Sequence, residues 1–150
     1  NKKSVEAFKN SISLLRELNQ KTQITLSLNE HEAALLFQYY GIEFHDDIDS
    51  AQKAVCKAQE TVGFDEIVVH NPYYAAAATA NGENEAVKQN LVVNPVITAG
   101  AGDTFNGGYI FGHICGMDIR QRLTTANATT RYYLKNGCPP TREQLIQEIG

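Results

Sequence analysis

Apolar residues recur along the chain with two different spacings, which predict alternating helices and strands. Residues 4–19 repeat apolar positions every three or four residues, as an amphipathic helix does. Residues 22–28 alternate β-branched and polar side chains, and residues 66–70 form a short apolar run, so both segments predict strands. The same reading predicts further helices at 29–41, 49–63, 103–116 and 118–137.

Capping and turn residues predict where several of these elements end. Either Asp49 or Ser50 is expected to cap the helix at 49–63. Asp118 is expected to cap the helix at 118–137, and Gly137 to end it. A capping box of Thr141 and Gln144 predicts one more helix at the C-terminus.

The segments 73–80 and 85–93 flank the sequence NGEN and predict two strands of a hairpin. Since helices and strands alternate elsewhere, the predicted fold class is α/β, with a largely parallel sheet that carries this antiparallel hairpin.

Composition narrows the function classes. The chain has 150 residues and a formal net charge of −4, so no basic surface argues for nucleic-acid binding. No apolar run approaches the roughly 20 residues that a membrane-spanning helix needs. Cys56, Cys115 and Cys138 lie far apart and form no zinc or disulfide pattern. They are expected to be reduced, mostly buried thiols of a cytoplasmic protein.

The segment 96–112 reads VITAGAGDTFNGGYIFG and places a carboxylate behind small residues at a strand-to-helix transition. The first amides of a helix that begins near Ala101 lack intrahelical partners and form an anion site with the helix dipole. Asp103 at that point suits a proton acceptor beside a transferred phosphoryl group. The alternative is that Asp103 only supplies charge at a helix N-terminus. A dinucleotide fingerprint is excluded because Phe105 stands where Gly or Ala is needed, and no P-loop lysine follows.

Glycines continue into the helix that follows this motif. Gly108, Gly112 and Gly116 are spaced four apart, with Gly107 alongside. Each glycine inside a helix costs roughly 1 kcal/mol relative to alanine. The presence of these glycines in a helix therefore predicts very close packing against a neighbouring helix or the sheet.

Asn29 and Glu32 lie three residues apart at a predicted strand end. Asn-x-x-Glu is the pattern of a helix capping box, which is one interpretation. The other is that both side chains order Mg²⁺ and its waters near phosphates.

The spacing N-x-x-E followed by TAGAGDTFNGG at residues 98–108 resembles the ribokinase-like carbohydrate kinase family, also called the phosphofructokinase B family. The resemblance runs from about residue 22 to the C-terminus. It implies a ribokinase-like three-layer α/β/α fold. It also implies that residues 1–150 are the C-terminal, nucleotide-binding portion of a longer kinase, whose N-terminal substrate-binding and lid portion is absent.

The resemblance also implies roles for individual residues. Asp103 matches the catalytic base, and Gly100, Ala101 and Gly102 match the anion hole. Asn29 and Glu32 match the Mg²⁺ motif, with the ion held through water. Three further residues fall on the nucleotide side: His70, Asn127 and Gly137. A polar residue such as Asn127 on a buried helix face can also be a satisfied core amide.

Two departures from the family pattern concern the nucleotide site. Ile97 replaces the aspartate that the family associates with a monovalent cation, so dependence on K⁺ is in doubt. The family's T-x-G-x-x-G turn is replaced by VVHNPYYAA at residues 68–76. His70 there either faces the nucleotide or only ends the strand.

These features predict ATP-dependent phosphorylation of a sugar or related alcohol. The expected partners are Mg²⁺, ATP as co-substrate and a small sugar, with a homodimer as a candidate assembly. The alternatives are a nucleotide-binding regulatory module and an incomplete fragment without catalysis. The chain alone is expected to be inactive, because the residues that choose the sugar lie upstream in the family.

Overall fold

Helices and strands alternate in the computed structural model, which describes residues 2–150. Their bounds are α1 (Lys2–Asn19), β1 (Thr25–Asn29), α2 (Glu30–Tyr40), α3 (Ile48–Val62), β2 (Glu66–His70), β3 (Tyr74–Thr79), β4 (Asn84–Lys88), α4 (Ala101–Ile114), α5 (Ile119–Asn136) and α6 (Arg142–Ile149). Among these residues no helix is both long and apolar enough to cross a membrane.

The four strands form one sheet in the order β1-β2-β3-β4. β1 and β2 are parallel, with Asn29 opposite His70, whereas β2–β3 and β3–β4 are antiparallel. The α/β class and the hairpin are therefore confirmed, but the sheet is mixed, with one parallel pairing of three. A parallel pair needs a long crossover, and among these strands the helical connection from β1 to β2 supplies it.

Helices cover both faces of the sheet, which confirms the three-layer arrangement. Side chains alternate along β2, so Ile67 and Val69 pack into one core and Val68 into the other. The first core includes Leu36 of α2 and residues of α3, and the second is built with α4 and α5.

Local hydrogen bonds confirm most of the predicted helix ends. Asp118 caps α5, Gly137 ends it in a left-handed conformation, and the box of Thr141 and Gln144 opens α6. The predicted cap of α3 is wrong, because the Asp47 side chain accepts from the Ser50 amide at 2.8 Å and the helix begins at Ile48.

Two other expectations are corrected. The last strand of the hairpin ends at Lys88 rather than at residue 93, so the chain from 89 to 100 approaches α4 without regular structure. The cysteines are not buried, since Cys115 and Cys138 are exposed and Cys56 is half-buried.

A buried carboxylate ties the sheet to α4 and α5. Glu66 of β2 is 4% exposed and accepts hydrogen bonds from the Tyr109 hydroxyl at 2.7 Å and from Arg122 at 3.1 Å. The Thr25 hydroxyl donates to its second oxygen at 3.1 Å. Burial, followed by the Glu66 carboxylate, raises the pKa of Tyr109, which keeps this phenol a donor. A charge taken out of water is thus fully paired, as its desolvation requires.

Close packing of α4 on α5 explains two of the helix glycines. A Cβ at Gly108 would lie 2.8 Å from the Ala126 Cα and from the Thr129 Oγ1, and one at Gly112 would lie 3.2 Å from the Arg122 Cα. Gly116 lies beyond the end of α4 and has a positive φ of 71°, so it serves a turn and not the helix contact.

Gly108 and Gly107 provide a matched pair for testing this packing. Gly108→Ala should destabilise the protein by about 2 kcal/mol or more, because the added methyl group overpacks a backbone contact. Gly107→Ala meets nothing within 4 Å and should stabilise by roughly 0.5–1 kcal/mol through helix propensity. Urea unfolding of both variants measures the difference, and equal effects would contradict the packing role of Gly108.

Candidate functional site

Six of the predicted site residues line one cavity of about 550 Å³. The parallel strands β1 and β2 end on the same edge of the sheet, where ligands of open α/β sheets bind. The N-terminus of α4 faces the same space. The predicted residues that line it are Asn29, Glu32, His70, Ala101, Gly102 and Asp103.

The N-terminus of α4 presents unpaired amides to this cavity. Gly100 caps the helix with a φ of 82°, a left-handed conformation that favours glycine, and no side chain caps α4. The Ala101 amide donates to the Thr98 carbonyl at 3.2 Å. The amides of Gly102 and Asp103 have no acceptor among the described residues. The amides of Gly102 and Asp103 therefore remain for an anion, whereas that of Ala101, in the predicted anion hole, is occupied.

The Asp103 carboxylate stands at the third position of α4, beside these amides. Its side chain makes no hydrogen bond or ion pair with the part of the chain described here, and the residue is exposed. Thr104 instead uses its hydroxyl locally, on the Gly100 carbonyl at 2.8 Å. A carboxylate that is neither capping nor paired can accept a proton from a bound hydroxyl.

Asn29 and Glu32 form the capping box of α2. Asn29 Oδ1 accepts from the amides of His31 and Glu32, both at 3.0 Å, and Glu32 Oε2 accepts from the Asn29 amide at 2.9 Å. The capping interpretation is therefore realised. Glu32 Oε1 and Asn29 Nδ2 make no hydrogen bond within the described range, so Glu32 keeps an acceptor and Asn29 keeps only a donor for a second role.

His70 ends β2 inside the cavity. Its ring stacks on Phe105, with centroids 4.3 Å apart and planes 22° apart, and its Cε1 lies 3.7 Å from where a Cβ of Gly102 would be. Burial lowers the pKa of His70, while Glu30 and Glu32 act in the opposite direction. The ring is therefore neutral at neutral pH and offers one donor and one acceptor.

The turn after His70 uses its own amides. Asn71 Oδ1 accepts from the amides of Tyr73 at 2.8 Å and Tyr74 at 2.9 Å, and Pro72 has no amide hydrogen. The Asn71 amide itself donates to the Tyr74 carbonyl at 3.0 Å. Asp46 holds this turn from the α2–α3 connection, accepting from Asn71 at 2.9 Å and from the Tyr74 hydroxyl at 2.8 Å. The backbone amides of Asn71, Tyr73 and Tyr74 are therefore all used within this turn.

Asn127 and Gly137 lie outside the main cavity. Asn127 is 3% exposed, and neither its Oδ1 nor its Nδ2 has a hydrogen-bond partner in the described structure. It is thus not a satisfied core amide. It lines a smaller cavity of about 250 Å³ between α5, α6 and the end of β4. Gly137 caps the C-terminus of α5 against Val96, and Gly100 sits at the start of α4 beside the main cavity.

Two residues of the site were missed at the level of sequence. Ser27 and Asn106 line the main cavity, and Ser27 Oγ and Asn106 Oδ1 are buried without partners in the region described. A periodicity argument could have found both. Ser27 is two residues before Asn29 on the same strand face, and Asn106 is three residues after Asp103 on the same helix face.

The charges around the main cavity are strongly unbalanced. Glu30, Glu32 and Asp103 line it, and no lysine or arginine does so among the described residues. Nowhere in that part of the chain do three His, Cys, Asp or Glu side chains converge as a metal site. A phosphate group in this cavity would therefore meet negative side-chain charge that the lining residues do not neutralise.

Sequence comparison relates this chain to sugar kinases. It is 26% identical over 128 residues to a ketohexokinase of Haloferax volcanii, and this alignment covers 85% of this chain and 33% of the relative. It is 27% identical over 142 residues to a ribokinase of Bacillus subtilis, which covers 90% of this chain and 43% of the relative. The chain thus spans less than half the length of these relatives.

Structure comparison confirms the ribokinase fold. The structure of Arabidopsis thaliana ribokinase complexed with ribose and ATP superposes with a TM-score of 0.70 at 20% identity, over 89% of this chain and 43% of that one. The prokaryotic ketohexokinase family model matches residues 1–149. The predicted resemblance to ribokinase-like carbohydrate kinases is confirmed, and the chain belongs to the prokaryotic ketohexokinase family.

Proposed function

We propose that this chain is the nucleotide- and phosphoryl-binding portion of an ATP-dependent sugar kinase. One observation carries the proposal: the unpaired amides of Gly102 and Asp103 and the unpaired Asp103 carboxylate meet at one helix N-terminus in a cavity. The amides can donate hydrogen bonds to the negatively charged oxygens of a transferred phosphoryl group. The carboxylate can accept the proton that the attacking hydroxyl must lose.

The proposed reaction transfers the terminal phosphoryl group of ATP to a hydroxyl of a sugar or related alcohol. The hydroxyl oxygen forms the new bond to phosphorus, and the bond from phosphorus to the bridging oxygen of ADP breaks. Asp103 accepts the hydroxyl proton, while the amides of Gly102 and Asp103 donate to the phosphoryl oxygens. Gly100 and Ala101 set the backbone path that aims these amides, which supports their assignment to the anion hole.

Mg²⁺ fits the donor set of this cavity. Glu32 keeps Oε1 after capping α2, and the nearby Asn29 and Glu30 add oxygen-rich surroundings that suit a hydrated ion. When bound with ATP, Mg²⁺ supplies positive charge that offsets the repulsion between the phosphates and the cavity carboxylates. Glu32 would hold it through water, and Asn29, whose Oδ1 is occupied by the α2 cap, would donate its Nδ2 to a neighbouring water or phosphate oxygen.

Nucleotide recognition is proposed to rely on side chains. Asn127 is a buried amide that lacks partners, and a purine base presents donors and acceptors that would pair it. His70 offers a neutral ring at the cavity wall, next to Gly102. For Gly137, the support for its predicted role on the nucleotide side is limited to its position at the C-terminal end of α5.

A nucleotide-binding module without catalysis is the second candidate. Two departures from the family pattern favour it: Ile97 stands in place of the family's aspartate, and residues 68–76 replace the family's glycine-containing turn. Under that alternative, Asp103 contributes only charge at the N-terminus of α4. The two candidates differ in whether the whole protein transfers a phosphoryl group, and the Asp103 variant then tests the base.

Asp103→Asn tests the base in the whole kinase to which this chain is proposed to belong. Turnover should fall by about 10²–10⁴-fold, because asparagine cannot accept the proton. MgATP affinity should stay within about twofold, because the amides are backbone groups. Steady-state kinetics and calorimetry measure the two effects.

Asp118→Asn is the matched control for this change. It removes the same charge at the N-terminus of α5, where asparagine caps equally well. Its turnover should equal that of the parent protein. Near-parental turnover of Asp103→Asn would contradict the role of Asp103 as base, whereas MgATP binding without any turnover in the parent protein would favour the module.

Glu32→Gln separates capping from metal binding. Glutamine keeps the capping box, so the free energy of unfolding should change by less than about 0.5 kcal/mol. The gain in ATP affinity on adding Mg²⁺ should shrink about fivefold or more, since one carboxylate no longer supports the hydrated ion. Calorimetric ATP titrations with Mg²⁺ and with chelator measure that gain.

Glu143→Gln, in the first turn of α6, is the control for a lost acidic charge at a helix start. It should leave both quantities unchanged. If Glu32→Gln behaves in the same way, Glu32 serves only as a cap.

A further inference from the structure

The loop that leads into α4 is fastened to the last turn of α5 at two points. The Val96 amide donates to the Leu134 carbonyl at 2.8 Å. The Tyr133 hydroxyl donates to the Ala99 carbonyl, also at 2.8 Å. The second bond falls on the peptide that joins Ala99 to Gly100, immediately before the amides of the anion site. Tyr133 therefore contacts the backbone whose direction aims those amides.

Gly100 shows how close this contact is. A Cβ at Gly100 would lie 3.1 Å from the Tyr133 hydroxyl oxygen, and the positive φ of Gly100 disfavours any side chain there. The left-handed residue turns the chain into α4, whose residues Gly102 and Asp103 line the cavity. A change in the orientation of the Ala99–Gly100 peptide would rotate the start of α4 and misdirect both amides.

A monovalent cation does not fit beside this loop. The resemblance to ribokinase-like kinases places an aspartate and such an ion here, but residue 97 is isoleucine and residues 96–100 carry no charge. The Ala99 carbonyl, which lies next to the anion site, already accepts the Tyr133 hydrogen bond. A hydrocarbon side chain and an occupied carbonyl are poor ligands for a hard cation.

We propose that Tyr133 is a positioning residue of the anion site, and that its hydroxyl fixes the loop into α4 without a monovalent cation. The inference rests on the proposed function, because it concerns how the phosphoryl-binding amides are aimed. Tyr133 acts through the Ala99–Gly100 peptide and is not a catalytic residue.

Tyr133→Phe and Tyr132→Phe form a matched pair in this chain. Both variants lose one phenolic hydroxyl on the same turn of α5, and among the described residues no hydrogen bond is made by the Tyr132 hydroxyl. Tyr133→Phe should weaken MgATP binding by about three- to tenfold, the effect of losing one hydrogen bond. It should also shift the Gly102 and Asp103 amide resonances in ¹H–¹⁵N spectra without ligand. Tyr132→Phe should match the wild type in both measurements.

Cation independence is tested on the wild-type chain and so needs no folded variant. MgATP affinity should vary by less than about twofold among potassium, sodium and tetramethylammonium chloride at equal ionic strength. A larger loss of affinity in tetramethylammonium would overturn cation independence. Wild-type affinity and unchanged amide resonances in Tyr133→Phe would overturn the positioning role.

Failure of the proposed function gives a different result. A wild-type chain that does not bind MgATP at all would contradict nucleotide binding. The Gly102 and Asp103 resonances of the two tyrosine variants would then still decide whether Tyr133 holds the start of α4.

Discussion

The contact between α4 and α5 at Gly108 is the constraint on which the candidate site depends. The backbones approach so closely that a single methyl group at this position would lie 2.8 Å from Ala126. Glycine costs helix stability, so the sequence accepts roughly 1 kcal/mol to allow the approach. Glu66 fastens the same two helices to the sheet through Tyr109 and Arg122. The start of α4 is thus positioned by packing and a buried charge network located further along the helix.

This packing also explains why α5 can act on the anion site. With α4 fixed against it, the end of α5 reaches back to the loop that precedes α4, and Tyr133 and Leu134 bind that loop. The same helix carries Asn127 toward the smaller cavity. Donors that are held in place before a charged ligand arrives need little reorganisation when it binds, which strengthens their electrostatic effect.

Sequence patterns predicted those parts of the structure that depend on near neighbours. Asp118, Gly137 and Thr141 act within four residues of themselves, and the motif around Asp103 is continuous in the chain. The start of α3 was predicted wrongly because Asp49 and Ser50 are themselves common capping residues, whereas the structure shows that Asp47 bonds the Ser50 amide. The bonds of Asp46 to Asn71 and of Tyr133 to Ala99 join residues 25 and 34 positions apart, which no local pattern encodes. The antiparallel β3–β4 pairing was predicted from its turn, whereas the antiparallel pairing of β2 with β3 was not.

The polar groups that lack hydrogen-bond partners indicate where a ligand can bind in this structure. The side-chain oxygens of Asn29 and Asn71 accept hydrogen bonds from nearby backbone amides, so the α2 cap and the 71–74 turn are satisfied without a ligand. The amides of Gly102 and Asp103 and the buried oxygens of Ser27 and Asn106 are not. A buried polar group without a partner costs about 1–3 kcal/mol, so several such groups facing one cavity favour a ligand that pairs them. Because that cavity is also lined by carboxylates, a ligand that binds there must satisfy donors and acceptors and meet negative side-chain charge at the same time.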